Sequence, residues 1–244
     1  MTPSERGSLR IVEDGRRFRV VFADETLADS VAARLLCEAG LHPVIYFPPD
    51  DVRQDALIAS AKRSSCPFKG EARYWSVALA GRRAEDSVWS YPTPKAGAER
   101  LAGYQAFAWR AMESFWEEEQ QLLAHPRNPF VRIDTLASRR RIQVRGGGKV
   151  LADSRAGVLL LETDLPLRCY LPRADVDLAS LIASETRSVC PYKGVAEYFS
   201  LRTERGITAD IAWSYPTPFV EVAAIKDHIC FYPERVDTIA LAAS

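Results

Sequence analysis

The segment SSCPFKGEARYWS at 64–76 recurs as SVCPYKGVAEYFS at 188–200, and the interval between the two copies decides how the chain is organised. Cys66 recurs as Cys190 and Trp89 as Trp213, each 124 positions on. The same shift lays YFPPDDV (46–52) on YLPRADV (170–176), LIAS (57–60) on LIAS (181–184), and WSYPTP (89–94) on WSYPTP (213–218). No gap is needed from Phe18 to Trp109. A match of that length comes from tandem duplication. Each copy has the length of one domain, so the chain reads as two domains, over 1–110 and 131–244, and not as a solenoid of short repeats sharing a core.

Residues 111–130, AMESFWEEEQQLLAHPRNPF, show no counterpart after the second copy. Met112, Phe115, Trp116, Leu122 and Leu123 recur at approximately helical spacing, with Glu117 to Glu119 turned away and Pro126 and Pro129 at the end. This pattern predicts an amphipathic linker helix. Within a copy, strand signals dominate: RFRVVF (17–22), PVIYF (43–47), ARYWSVAL (72–79), SVWSY (87–91) and LAGYQAFAW (101–109). One short helix is expected between them. Asp51 or Asp175 would cap it, and Leu57 and Ile58, or Leu181 and Ile182, would form its buried face. The expected fold is therefore mainly β, two tandem small antiparallel domains, each with one short helix, joined by an amphipathic helix.

About 47% of residues are hydrophobic and 26% charged, enough apolar surface for real cores in a globular chain. Lys plus Arg equals Asp plus Glu at 32 each, which removes the electrostatic footprint of a general nucleic-acid binder. The dense SRRR at 138–141 reads as a solvated strand edge. Neither a signal-peptide run at the start nor an apolar stretch of the roughly 20 residues needed to span a bilayer is present, so no membrane partner and a cytoplasmic location are expected. Five cysteines with no Cys-x-x-Cys pair point to free thiols and not to a disulfide framework.

The Cys-Pro-aromatic-Lys-Gly segment has two readings. Proline pushes the preceding cysteine into extended geometry, and glycine permits φ > 0 or close backbone approach, so the segment makes a stiff corner. In the architectural reading Cys66 is a small buried hydrophobe and Lys69 a solvated turn residue. In the chemical reading the ammonium of Lys69 lowers the thiol pKa of Cys66, making Cys66 and its equivalent Cys190 candidate nucleophiles or redox centres. Lys69 or Lys193 can otherwise hold an anion or a carbonyl. His42, His125 and His228 are not equivalent between copies, which disfavours a hydrolytic Cys–His pair. One repeated cysteine per copy cannot build a zinc site, so no metal or cofactor is expected.

In WSYPTP, alternation puts Trp89 and Tyr91 on one face and Ser90 on the other, with Trp213 and Tyr215 likewise, and the prolines end the strand. Such aromatics form core with satisfied polar tips, or the wall of a ligand pocket. The repeated polar candidates beside that wall are Arg63 and Arg187, Lys69 and Lys193, and Asp86 and Asp210.

YFPPDDV, CPFKG and WSYPTP, with YLPRADV, CPYKG, AWSYPTP and ICFYPERV in the second copy, resemble the bacterial and fungal family of the domain of unknown function 427. FWEEEQQLLAHPR followed by RIDTLASRR resembles the junction of its two-domain members. The resemblance covers nearly the whole chain. It implies a small two-sheet β domain of the β-tent kind, with a cleft between the sheets, and it brings no established reaction. A nucleotidyltransferase label attached to this domain would need a Gly-Ser type phosphate turn and paired carboxylates for two metals. GGG (146–148) and DVD (175–177) become FAD (22–24) and DVR (51–53) in the first copy, and DVD is explained by a helix cap.

Three functions follow as expectations. The first is a small-molecule-binding module with one pocket per copy. The second is a thiol-dependent enzyme using Cys66, Cys190 or both. The third is a structural or partner-binding protein that docks, or closes a homodimer, through the linker helix.

Overall fold

A computed structural model of the chain describes residues 8–204 and 206–242. The chain divides into two compact units, Met1–Asn128 and Pro129–Ser244. The first unit contains β1 (Leu9–Val12), β2 (Phe18–Phe22), β3 (Glu25–Ser30), β4 (Arg34–Glu38), β5 (Val44–Phe47), β6 (Leu57–Cys66), β7 (Gly70–Leu79), β8 (Arg82–Ser90), β9 (Gln105–Phe107), β10 (Ser114–Glu117) and β11 (Gln120–Leu122). They form a seven-stranded sheet in the order β1-β4-β5-β9-β8-β7-β6 and a four-stranded sheet in the order β11-β10-β2-β3. Every strand pairing is antiparallel.

The second unit repeats this plan with β12 (Ile133–Ser138), β13 (Ile142–Gly146), β14 (Lys149–Ser154), β15 (Gly157–Glu162), β16 (Arg168–Pro172), β17 (Leu181–Cys190), β18 (Gly194–Thr203), β19 (Gly206–Ser214), β20 (His228–Phe231) and β21 (Thr238–Leu241). Its large sheet runs β12-β15-β16-β20-β19-β18-β17 and its small sheet β14-β13-β21.

Period-two alternation places the cores. In β2, Phe18, Val20 and Phe22 are buried while Arg19 and Val21 are half-buried. With Leu27 and Phe115 from the small sheet, they pack against Leu35, Cys37, Ile45, Phe47, Val77, Val88 and Phe107 of the large one. The intersheet space is thus filled by side chains and is not an open cleft. Residues one position on in the large sheet (Leu36, Tyr46, Ala106) point the other way, and with Ala72 and Tyr91 they form a second cluster, covered by Ala98, Leu101 and Tyr104. The second unit reproduces both layers, Ile142, Val144, Leu171 and Phe231 between its sheets and Tyr170, Trp213 and Tyr215 on the outer face.

Two expectations about helices are overturned. Among the described residues the only helical segments are 3-10 turns. Asp51 and Asp175 lie inside such turns and form no side-chain cap; the Asp175 carboxylate accepts a hydrogen bond from Ser154 Oγ at 2.6 Å instead. Leu57 and Ile58, expected on a helix, begin the ten-residue strand β6, as Leu181 and Ile182 begin β17. Leu and Ala in LIAS are good helix formers, and it is the pairing of Leu57, Ile58 and Ala59 with Val77, Ser76 and Trp75 of β7 that overrides this local preference.

The linker is not a helix either. Ser114–Glu117 and Gln120–Leu122 form a hairpin whose first strand pairs with β2, Phe115 opposite Val20 and Trp116 opposite Arg19. Phe115 is 4% exposed and stacks on Trp109, ring centroids 4.2 Å apart. Of the acidic run only Glu117 turns to the domain, accepting from Arg16; Glu118 and Glu119 are exposed as expected, Glu119 reaching Arg19 at 3.1 Å. This segment also has a counterpart, since β21 lies 124 positions after β10 and pairs with β13 as β10 pairs with β2. Among the described residues, no helix is long and apolar enough to cross a membrane.

Candidate functional site

The Cys-Pro-aromatic-Lys-Gly segment is a hairpin turn joining two long strands, with Cys66 opposite Gly70 and Cys190 opposite Gly194. It docks on the WSYPTP segment. Lys95 N–H donates to the Lys69 carbonyl at 3.2 Å, and Phe219 N–H to that of Lys193 at 3.2 Å. Gly70 has φ +97°, and a Cβ there would stand 3.2 Å from the Thr93 carbonyl oxygen. Close approach of the two motifs, together with the left-handed backbone, explains why glycine sits at that position in both copies.

Lys69 is not a solvated turn residue. Its ammonium lies 2.5 Å from the Glu38 carboxylate, with side chains only 10% and 11% exposed. Lys193 forms the same buried pair with Glu162. The pair sits at the end of the outer aromatic face, where Lys69 Nζ is 5.9 Å from the centre of the Tyr91 ring. Burial pushes the Tyr91 and Tyr215 phenols well above the ordinary tyrosine range. Sequence reasoning misses Glu38, although Glu162 lies at the same 124-residue shift and marks it as repeated.

Trp89 and Trp213 occupy equivalent places on this face. Trp89 Nε1–H donates to the Tyr46 hydroxyl at 3.1 Å, the rings edge-to-face at 6.3 Å, and Trp213 repeats this with Tyr170 at 3.1 Å and 6.2 Å. Tyr74 and Ser64 share a hydroxyl–hydroxyl bond of 2.8 Å, matched by Tyr198 and Ser188 at 2.7 Å. Tyr46 and Tyr74, missed as well, are legible in the same way. Ser90 and Ser214 point to the opposite face, as alternation requires, and their hydroxyls are buried without a hydrogen-bond partner.

Arg63 and Asp86 do not join this group. Arg63 curls back onto the carbonyls of Ser60 and Lys62, and Arg187 onto those of Ser184 and Thr186, closing the bulges of β6 and β17. Asp86 has φ +48° and Asp210 φ +51°. Asp86 accepts from Ser60 Oγ at 2.5 Å and Asp210 from Thr186 Oγ1 at 2.8 Å, while both backbone N–H groups donate to serines of the neighbouring strand. These four residues shape strand irregularities. Cys66 and Cys190 are half-buried against the outer clusters, and the lysine three positions on from each is held by a carboxylate. Burial holds the Cys37 thiol up at about 11.

The turn of the first copy also borders an open hollow of about 340 Å³, lined by Leu9, Pro67, Phe68, Lys95, Ala96 and Gly97. On the outer face Tyr46, Tyr91 and Lys69, like Tyr170, Trp213, Tyr215 and Lys193, are more than nine-tenths buried, while Trp89, Tyr74 and Tyr198 are half-buried.

A family profile described as a domain of unknown function (DUF427) matches residues 10–118 and 134–241. No match was found among curated proteins.

Proposed function

The chain belongs to the domain of unknown function (DUF427) family and carries two copies of its domain, and on that premise we propose that each copy is a small-molecule-binding module. The site is the outer aromatic face of the large sheet, with Trp89, Tyr91 and the Lys69–Glu38 pair in the first copy and Trp213, Tyr215 and the Lys193–Glu162 pair in the second. The observation that supports this reading is the buried ion pair, present in both copies beside the aromatic wall. Removing two charges from water is costly, and an apolar pair of the same volume would serve a core at least as well. Sites for small molecules are mostly apolar with a few placed polar groups, and this face has that composition. Arg63, Asp86, Arg187 and Asp210 are not part of the proposal. A thiol enzyme lacks its activating cation, because each lysine is engaged by a glutamate. Docking through a linker helix has no helix to use.

The test is saturation-transfer NMR with a panel of small aromatic acids, amines and carbonyl compounds, on the native chain and on a Glu38→Leu/Lys69→Met, Glu162→Leu/Lys193→Met variant. Hits that vanish in a variant that still unfolds cooperatively are expected. Hits indifferent to the substitutions, or none at all, would sink the reading.

A further inference from the structure

The outer faces of the two small sheets carry opposite charge. In the first copy Arg16 pairs with Asp14 and Glu117, Arg17 with Asp29, and Arg19 with Glu119, while Glu118 accepts from the Arg17 N–H. At the 124-residue shift the second copy keeps Arg140, Arg141 and Asp153. It has Ser138, Leu241, Ala242 and Ala243 in place of the other four acids, and it gains Arg139, Arg145 and Arg155 where the first copy has Gly15, Val21 and Val31. All five of these arginines are exposed. Arg141 pairs with Asp153, and Arg140 Nε–H donates to the Ala242 carbonyl at 2.7 Å. Among the described residues, Arg139, Arg140, Arg145 and Arg155 have no carboxylate within ion-pair distance.

The same sheet has an open edge. Ala242 N–H donates to the Arg141 carbonyl at 2.9 Å, so Thr238, Ala240 and Ala242 turn their backbone groups to β13, and Ile239 and Leu241 turn theirs away from it. In the first copy the equivalent Phe115 and Glu117 lie opposite Leu122 and Gln120 of β11. Among the described residues, no strand takes the place of β11 beside β21. Edge strands are ordinarily guarded by charge, proline or a bulge. Thr-Ile-Ala-Leu has no charged residue and no proline, and its register with β13 is unbroken. Trp116, which covers Arg19 at 5.4 Å in the first copy, is replaced by the exposed Ala240. The exposed Ala242 stands in the same way for Glu118, so only small side chains separate the edge from the arginines of β13.

We propose that β21 accepts an extended acidic segment of a protein partner as an added strand, in the place that β11 fills in the first copy, with the partner's carboxylates on the arginines of this face. The open N–H and C=O groups of a strand edge are matched by another peptide backbone. A nucleic-acid strand brings phosphates for the arginines but no alternating amide donors for the edge. An added strand lies about 10 Å from β13, twice the strand spacing, a gap that a glutamate and an arginine close together over the alanine between them. Acids near Ala242 meet Arg139 and Arg140, and an acid near Thr238 meets Arg145. The carboxylate–guanidinium match supplies the choice of an acidic segment, and the edge supplies the choice of a peptide.

A labelled short peptide that alternates valine with glutamate tests this on the full chain, by fluorescence anisotropy at physiological salt. Saturable binding is expected. The same peptide with glutamine for glutamate should bind at least ~10-fold more weakly, as should the acidic peptide on an Arg139→Gln/Arg145→Gln protein, the scale of charge-assisted hydrogen bonds. N-Methylation of the valines removes the donors that would meet Ile239 and Leu241 and leaves every charge in place; it should weaken binding by a similar factor. The unmodified peptide should also slow hydrogen exchange at the Ile239 and Leu241 amides. Should the arginine variant lose its fold, the two altered peptides read the same contacts on the native chain. Absence of binding, or equal binding of the glutamine peptide, overturns the proposal. Equal binding of the methylated peptide, with the Ile239 and Leu241 amides unprotected, overturns the added strand and leaves a surface for any polyanion. Tighter binding of a single-stranded oligonucleotide of matched charge overturns the choice of a protein partner. None of these outcomes bears on the small-molecule reading, whose residues lie on the large sheets.

Discussion

Taking Lys69 and Glu38 out of water costs each ion several kcal/mol of hydration, which their mutual attraction recovers only in good geometry. Lys69 has that geometry, with both carboxylate oxygens of Glu38 within 2.6 Å of its ammonium. Removing one partner therefore differs in kind from removing both. Lys69→Met strands a buried carboxylate and should lower the stability of the first unit by about 3 kcal/mol in urea unfolding at pH 8. The Glu38→Leu/Lys69→Met protein should unfold within about 1 kcal/mol of the wild type, because an apolar pair fills the same space without desolvated charge. A double variant as weak as the single one would mean that the pair is required for folding, and the functional argument built on it would lose its footing. The sequence carries half of this pair openly. The repeated Lys69 reads as a site residue, but Glu38 sits in LCEAG (36–40) against LLETD (160–164) in the second copy, where so few neighbours match that the repeated acid does not stand out.

At the scale of elements, the hardest segment to read is 111–130. Its apolar residues fall at i, i+3 and i+4, yet a strand of four residues needs only alternation, and Phe115 in, Trp116 half-out satisfies that. What makes it a strand is β2, nearly a hundred positions earlier, whose free edge and arginines receive it. Such a partner is invisible to local periodicity. The counterpart β21 reads TIAL where β10 reads SFWE, so the repeat continues in geometry after identity has ended. The strands of the large sheets are legible because their alternation, turns and duplication agree. The strand assignment makes Phe115 a core residue. Phe115→Ala should cost about 3–5 kcal/mol, measured by urea unfolding of the full chain; a change under about 0.5 kcal/mol would indicate an exposed side chain on a helix after all.

Cross-strand charges on the small sheets are duplicated as well. Arg17 pairs with Asp29, and Arg141 with Asp153. Hydrogen bonding from Arg141 holds the Asp153 carboxyl down at about 2, below the usual value near 3.8. Its folded-state pKa is depressed, so the unfolded chain binds the proton more readily, and the pair's contribution is present above pH 4 and lost as pH falls toward 2. Asp153→Asn should therefore melt below the wild type at pH 6 and converge with it at pH 2. Parallel melting curves across that range would show that this solvent-exposed pair contributes nothing measurable, the common outcome for surface ion pairs.

For the molecule as a whole, duplication makes each half self-sufficient in what it buries. Every member of the clusters built on Phe18 and on Tyr46 belongs to the first unit, and every member of those built on Ile142 and Tyr170 to the second. Each half completes its small sheet with its own late strand, β10 on β2 or β21 on β13, and repeats its own lysine–glutamate pair. A domain needs its own core and hydrogen-bonded elements to fold alone, and both halves meet that requirement at ordinary domain size. Residues 129–244 expressed alone should therefore unfold in a single cooperative urea transition, with the Trp213 indole resonance at its position in the full chain. Ending the same fragment at residue 236, before β21, removes the strand that pairs with β13 and exposes the small-sheet core at Val144. It should lose that cooperative transition, although every residue of the Cys-Pro-Tyr-Lys-Gly turn and of the aromatic face remains. If the shortened protein instead kept its transition and its Trp213 resonance, the last strand would be dispensable, and the domain would end where the sequence identity does.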